Sequence, residues 1–158
     1  YGPLPDIDKK KPTLNFRRTN VPFFCRFPDH IKKNFISDSS QIVSSNLDLS
    51  KTILDLCKID SKEFSNGVSI FDQANRRKFA IAESLYNNSC EIAVINNDYS
   101  FFHRIPFDFK KFQLDQSQEP TNLLFKTNNN YDKNLINEVD TEFFKRIVKS
   151  HIDKNFLS

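Results

Sequence analysis

The amino-acid sequence predicts a mixed α/β fold with a small antiparallel sheet and a helix at the C-terminus. Apolar residues repeat at helical spacing in two segments, residues 42–59 and 138–156. Three β-prone runs lie between these segments and are separated by turn residues, as expected for antiparallel strands. The three runs are residues 79–83, 91–95 and 99–104.

The length and composition fit a folded domain. The chain has 158 residues, of which 27% are charged and 38% hydrophobic, and its 17 Phe supply most of the bulk of a core. It contains no Met and begins at Tyr1, so we expect a processed product or, as the preferred interpretation, a piece of a longer protein. No apolar run is long enough to cross a bilayer, and no membrane span is expected.

Basic residues are concentrated in the N-terminal segment. Residues 1–33 carry eight Lys or Arg against three Asp, a local charge of +5; the whole chain has +3, so the remainder has −2. Such a segment suits an anionic ligand, although most basic runs are solvated surface. The small overall charge does not indicate nucleic acid as a partner, and none is expected.

The spacing of the cysteines and histidines indicates neither a zinc site nor a disulfide framework. The three Cys include no CxxC pair, and no His lies at metal-ligand spacing from another His or Cys. Cys25 stands in an apolar run and Cys57 on the apolar side of a helix, so both are expected to be small core residues.

The first half of the chain predicts a strand followed by a helix. Residues 21–27 (VPFFCRF) are nearly all apolar, which is typical of a strand buried on both faces. The helix at 42–59 begins with a capping box, in which Ser45 is followed three residues later by Asp48. Its apolar stripe is expected to face the core. The stripe consists of Leu47, Leu49, Ile53, Leu54, Leu56 and Cys57.

The second half predicts the antiparallel sheet. Residues 65–67 (Ser-Asn-Gly) are a strong turn signal ahead of it. Residues 96–98 (Asn-Asn-Asp) suit a hairpin turn between the second and third β-prone runs. Residues 123–125 predict a short edge strand, and the helix at 138–156 ends the chain.

Several short motifs follow one another along the chain. A Lys and a Thr precede a Val-Pro that opens the first strand, and a Val-Ser and an Asp-Leu precede a Thr in the helix. A Gly-x-Ser-Ile, a basic residue, a strand and a Glu-Ser come next. The residues concerned are Lys11, Thr13, Val21, Pro22, Pro28, Val43, Ser44, Asp48, Leu49, Thr52, Gly67, Ser69, Ile70, Arg77, Glu83 and Ser84.

This order of motifs resembles the C-terminal half of the sulfatase family, within the alkaline phosphatase superfamily. The resemblance covers about residues 10–155 and departs from the family at Lys51, where Pro is usual, and at Asn20, where Arg is usual. It implies an alkaline-phosphatase-like/sulfatase fold. Residues 1–75 would complete the large α/β domain, and residues 76–158 would form a small antiparallel-sheet subdomain with the terminal helix.

The resemblance also implies an activity, that of a sulfuric ester hydrolase acting on a small-molecule or glycan sulfate ester. In the family, a formylglycine made from a Cys or Ser attacks sulfur, and Asp and Asn side chains hold a divalent cation, usually Ca²⁺. These groups lie in the N-terminal half, which would be the missing partner of this chain. No catalytic residue and no metal ligand is therefore expected here, and the chain alone is expected to be inactive.

Lys11 is the single site residue that the resemblance assigns to this chain, as a contact to a sulfate oxygen. A lysine ammonium offers hydrogen-bond donors and charge to an oxyanion. Lys9 and Lys10 adjoin it, so either neighbour could take this role, or the three together could be a solvated basic loop.

Two alternatives belong to other classes. One is a related enzyme of the same superfamily acting on phosphoesters or phosphoethanolamine. The other is a non-catalytic basic binding module, in which the N-terminal cations and the Phe residues of 16–27 form a surface for single-stranded nucleic acid. A buried strand explains the same Phe residues better, which disfavours the binding module.

Overall fold

The computed structural model describes two helices and five strands. The described residues are 12, 14, 43–60, 67–72, 74–86, 88–115, 117–127 and 133–156. The elements in chain order are α1 (Asn46–Leu56), β1 (Ala80–Tyr86), β2 (Ser89–Ile95), β3 (Tyr99–Asp108), β4 (Gln113–Leu114), β5 (Thr121–Lys126) and α2 (Glu142–Asn155). A mixed α/β protein with an antiparallel sheet and a C-terminal helix is thereby confirmed.

The chain divides into two compact units. One contains residues Tyr1–Val21 and Ile81–Ser158, and the other contains Pro22–Ala80. The predicted division into residues 1–75 and 76–158 as parts of a sulfatase stays a prediction, because compactness does not assign a unit to a family. The predicted strand at 21–27 lies outside the described residues.

The sheet of the first unit is built around β3. Its neighbour β2 pairs with it as a hairpin from Ser89 opposite Pro106 to Ile95 opposite Ser100. Asn96 closes the predicted turn, because its Oδ1 accepts hydrogen bonds from the N–H of Asp98 at 2.9 Å and of Tyr99 at 2.7 Å. The hairpin at residues 96–98 is therefore confirmed.

The remaining strands extend the sheet on both sides. β1 neighbours β2, while β4 and β5 both pair with β3, β5 along residues 99–104 and β4 at residues 107–108. The predicted strand at 123–125 is confirmed as the centre of β5. Both faces of the sheet are covered at its middle, since five consecutive residues of β2, 90–94, are buried.

Two apolar clusters lie on the two faces of this sheet. On one face, Phe101 stacks on Phe144 of α2 with ring centroids 5.5 Å apart. On the other, Phe102 lies edge-on to Phe125 at 6.1 Å, and Leu14 is buried in the same cluster. Successive residues of a strand point to opposite faces, so β3 contributes Phe101 to one cluster and Phe102 to the other.

In the second unit, α1 is shorter than the predicted helix at 42–59, and it begins as predicted. The Ser45 N–H bonds Asp48 Oδ2 at 2.8 Å, which closes the capping box. The helix ends with Lys58 in the left-handed region at φ 58°, where its N–H bonds Asp55 O and the N–H of Ile59 bonds Leu54 O. This is the Schellman pattern of helix termination.

The prediction that the apolar stripe of α1 faces the core was wrong. Leu47, Leu49 and Ile53 are 40–54% exposed, Cys57 is exposed as well, and Leu54 and Leu56 are half-buried. The buried residues of α1 are Asp48 and Thr52, each 2% exposed. This polar side faces inward because Asp48 accepts hydrogen bonds from the Val68 N–H and the Arg77 guanidinium, and Thr52 accepts the Ile70 N–H. Neither helix of the described residues combines the length and apolar character needed to cross a membrane.

Candidate functional site

Asp48 and Arg77 form the centre of a partly buried polar cluster in the second unit. Arg77 Nε lies 2.8 Å from Asp48 Oδ2, and Arg77 Nη2 lies 2.6 Å from Asp48 Oδ1. The two parallel bonds make a bidentate arginine–carboxylate pair, which is stronger and more directional than a single contact. We call Asp48, Thr52, Gly67 and Arg77 the Asp48 cluster.

Thr52 extends the cluster along the buried side of α1. Its hydroxyl donates to Asp48 O at 2.6 Å and accepts the N–H of Ile70 at 3.1 Å. The N–H of Val68 bonds Asp48 Oδ1 at 2.8 Å. Because residues four apart lie on one helix face, Asp48 and Thr52 together hold the backbone of residues 68–70 against α1.

Gly67 is required in this cluster for its size. A Cβ at this position would lie 2.1 Å from Leu47 O and 2.6 Å from Leu47 C. Its φ is not positive, so the absence of a side chain serves close packing of two backbones rather than an unusual conformation. The last residue of the turn signal at 65–67 is therefore the point where its backbone packs against that of Leu47. Residues 65 and 66 lie outside the described residues.

The Asp48 carboxylate is held as an anion. Burial by itself would raise the pKa of Asp48, but hydrogen bonds from Arg77, Val68 N–H and Ser45 N–H outweigh it and lower that pKa. The same pair raises the pKa of Arg77. With four N–H donors on its two oxygens, this carboxylate is engaged in structure, and a role as general acid or base does not fit it.

A shallow depression of about 330 Å³ lies in the same unit. It is lined by Asp55, Leu56, Ser69, Phe71 and Asp72. Both acids are already engaged, Asp55 with Lys51 Nζ at 2.6 Å and Asp72 with Asn75 Nδ2 at 2.9 Å. In the described part of the chain, no three His, Cys, Asp or Glu side chains come together as a metal site.

A second buried carboxylate, Glu91, lies in the sheet of the first unit. Arg104, directly opposite it in the β2–β3 hairpin, places Nη2 2.6 Å from Glu91 Oε2. The other oxygen, Oε1, accepts the N–H of Leu14 at 2.6 Å. Glu91 thus connects Leu14, in the N-terminal segment, to the sheet. The charge of Glu91 is compensated by Arg104.

The histidines of the sheet and of α2 do not form a catalytic arrangement with each other. His103 Nδ1 lies 2.6 Å from Asn122 Oδ1, and burial lowers the pKa of His103 despite that hydrogen bond. His151 bonds Glu83 through Nε2. Each ring therefore has a separate partner that positions it.

Lys11, the predicted sulfate contact, lies outside the described residues. Leu14, three positions later, is anchored by Glu91 and by the apolar cluster around Phe102. Sequence reasoning missed Glu91, although a signal existed: a charged residue opens the apolar run 91–95, and Arg104 ends the run that pairs with it.

The chain was compared with family models, curated proteins and solved structures. No family model, no curated protein and no solved structure matched it. A fold does not by itself define a function, which depends on the residues of a site.

Proposed function

We propose that this chain is the C-terminal part of a sulfatase-like hydrolase of the alkaline phosphatase superfamily, which cleaves sulfate esters. Residues 1–75 contribute to the large α/β domain of the proposed enzyme, and residues 76–158 form its small sheet subdomain. A glycan sulfate ester is one candidate substrate. The divalent cation and the formylglycine are assigned to the N-terminal half.

The observation that carries the proposal is the Asp48 cluster. Asp48, Thr52, Gly67 and Arg77 come from three separate motifs of the sulfatase-like order, and they meet within hydrogen-bonding or van der Waals distance. Asp48 and Thr52 share a face in any helix, but Gly67 and Arg77 come from two further motifs along the chain. Their convergence supports the interpretation that the motifs belong to a single fold, as the resemblance implies.

The cluster has a scaffolding role in the proposed enzyme. It holds α1 and residues 67–70 together through Asp48 and Thr52 and carries no group available for bond making. Among the described residues, no three His, Cys, Asp or Glu side chains come together as a ligand set for a cation. The proposed contribution of this chain to catalysis is Lys11, as a donor to a sulfate oxygen.

The coding sequence upstream of Tyr1 tests the proposal. We expect a Cys/Ser-x-Pro-x-Arg motif there, with the Cys or Ser converted to formylglycine in the mature protein. An unmodified Thr or Ser nucleophile would instead assign the protein to phosphoester or phosphoethanolamine chemistry. An upstream sequence with neither would overturn the enzymatic proposal and leave the binding module.

Activity then tests the role of Lys11. In the full-length protein assayed with an aryl sulfate and Ca²⁺, Lys11→Ala should lower kcat/KM by about 10²-fold, as expected for loss of an oxyanion donor. Lys9→Ala is the matched control and should change it little. Residues 1–158 alone should show no turnover; turnover above that of the Lys11→Ala variant of the same chain would contradict the division of the site between two halves.

A further inference from the structure

The turn between β3 and β4 presents two aromatic rings and two cations to solvent. The turn consists of residues 109–112, Phe-Lys-Lys-Phe. Phe109 is 46% exposed and Phe112 is 73% exposed. The two side chains form a small exposed apolar patch, and such patches can serve as contact sites. We call residues 109–112 the aromatic turn.

A buried ring holds the two exposed rings in place. Phe107 is 3% exposed, and its ring centroid lies 4.9 Å from that of Phe109 and 5.4 Å from that of Phe112, both in T-shaped contact. Phe112 has φ 52°, a left-handed conformation that is unfavourable for a bulky residue. The backbone therefore keeps the Phe112 ring outside the core at some cost in stability.

The polar groups of the turn are the side chains and backbone N–H groups of two lysines. Lys110 and Lys111 lie between Phe109 and Phe112 in the sequence, and both are exposed. Their backbone N–H groups bond Asp108 Oδ1 at 2.9 and 3.2 Å. These bonds order the turn around Asp108, whose charged carboxylate has to stay in contact with water while the two rings enter an apolar medium.

We propose that the aromatic turn is a membrane-contact site that inserts Phe109 and Phe112 into the headgroup region of an anionic lipid bilayer. Phe side chains that enter the acyl boundary beside Lys side chains that bind anionic headgroups are the composition of interfacial anchors. Lys111 Nζ lies 3.9 Å from Asp108 Oδ2 and also interacts with Asp115, so its charge is partly compensated within the turn. Lys110 supplies most of the charge that is complementary to such a surface.

The small size of the patch favours a bilayer over a protein partner. The two rings together expose roughly 200 Å² of apolar side chain, whereas a stable protein interface buries about 800 Å² on each partner. A bilayer accepts so small a wedge, since insertion needs no complementary pocket. The predicted contact is weak and reversible, and it depends on both the rings and the cations.

The absence of Trp from the sequence provides a direct test. Phe112→Trp places a single indole at the tip of the turn, and Phe143→Trp places one on α2 at a matched Phe that is 44% exposed. On addition of vesicles with about 30% phosphatidylserine, the indole fluorescence of the Phe112→Trp variant should shift to the blue and be quenched by brominated lipid. The fluorescence of the Phe143→Trp control should not change.

Vesicle sedimentation measures how much each side chain contributes to membrane binding. Lys110→Gln with Lys111→Gln should weaken binding by between about 5-fold and about 25-fold, since each cation near an anionic surface contributes a factor of up to about 5 and Lys111 is partly paired with Asp108. Phe112→Ser should weaken it by about 10-fold, and Lys149→Gln, at an exposed position of α2, should leave it unchanged. Far-UV circular dichroism checks that each variant is folded.

Three outcomes would overturn the proposal. The first is no binding of the chain to anionic vesicles. The second is binding without any response of the Phe112→Trp fluorophore, which would place the contact elsewhere. The third is a response of that fluorophore to heparin, used as a sulfated-glycan probe, but not to vesicles; this would assign the turn to glycan recognition.

Discussion

Arg77 binds both carboxylate oxygens of Asp48, 29 positions earlier in the chain, with N–O distances of 2.8 and 2.6 Å. The same carboxylate accepts the N–H of Ser45 at the start of α1 and the N–H of Val68. One acidic side chain therefore caps a helix, holds a loop and binds a cation. Replacing this side chain should therefore weaken the helix start, the attachment of the loop and the binding of Arg77.

Asp48→Asn should destabilise the protein by about 2–3 kcal/mol. The substitution keeps the shape of the side chain but removes the charge opposite the partly buried guanidinium of Arg77, and breaking such a pair leaves a poorly solvated cation. Urea denaturation measures the loss in the free energy of unfolding. Asp55→Asn is the matched control on the same helix, since it breaks the exposed pair with Lys51, and it should cost no more than about 0.5 kcal/mol. Equal losses in the two variants would contradict the prediction.

The contribution of Asp48 should depend on pH in a defined direction. Its pKa in the folded protein is lowered, so the unfolded chain binds the proton more readily. The stabilisation is fully present above the unfolded pKa of about 3.9 and is lost as the pH falls through the folded pKa. The difference in unfolding free energy between wild type and Asp48→Asn should therefore be constant from about pH 7 to about pH 5 and shrink below about pH 4. A difference that grows in acid would contradict this sign.

Gly67→Ala should destabilise the protein by more than about 2 kcal/mol. The new Cβ would meet the carbonyl of Leu47 at 2.1 Å, and two segments of backbone would have to separate to admit it. Thermal and urea denaturation measure the effect. Asn46→Ala, at the exposed first turn of α1, serves as the control and should remain within about 0.5 kcal/mol of wild type.

Glu91→Gln should cost about 3 kcal/mol and release the segment around Leu14. The variant removes the negative charge of Glu91, which lies 2.6 Å from the largely buried guanidinium of Arg104. It also removes an anionic acceptor from the Leu14 N–H. Hydrogen exchange should show faster exchange at Leu14 than in wild type, while Glu138→Gln, which breaks the exposed pair with Lys133, should not. Unchanged protection of the Leu14 amide would refute the anchoring role.

Cys57 and Cys90 should differ in their reaction with iodoacetamide. Cys90 is fully buried, and burial together with the nearby charges of Glu83 and Glu91 raises its pKa to about 11. At about pH 8 almost none of it is thiolate, the reactive form. Cys57 is exposed at the end of α1. Mass spectrometry of the native protein should find alkylation at Cys57 and none at Cys90 until denaturant is added.

Local signals in the sequence were reliable guides to the elements. The Asn-Asn-Asp turn at 96–98, the capping box of Ser45 and Asp48, and the alternation of β-prone runs with turns each depend on residues a few positions apart. Such interactions form between neighbours in the chain, so they can be identified without knowledge of what packs around them. The strands β1, β2, β3 and β5 and the two helices follow from these signals, with ends displaced by a few residues.

The tertiary structure alone decided which side of α1 is buried and which charges pair. Helical spacing showed that Leu49 and Ile53 share a face, but spacing cannot identify the surface that another segment covers. That choice was made by the bonds of Asp48 to Arg77 and to the backbone of Val68, partners 20 or more positions away. Removing a charge from water costs free energy, and these bonds offset that cost only where the donors are already in place. The folded chain alone supplies that arrangement.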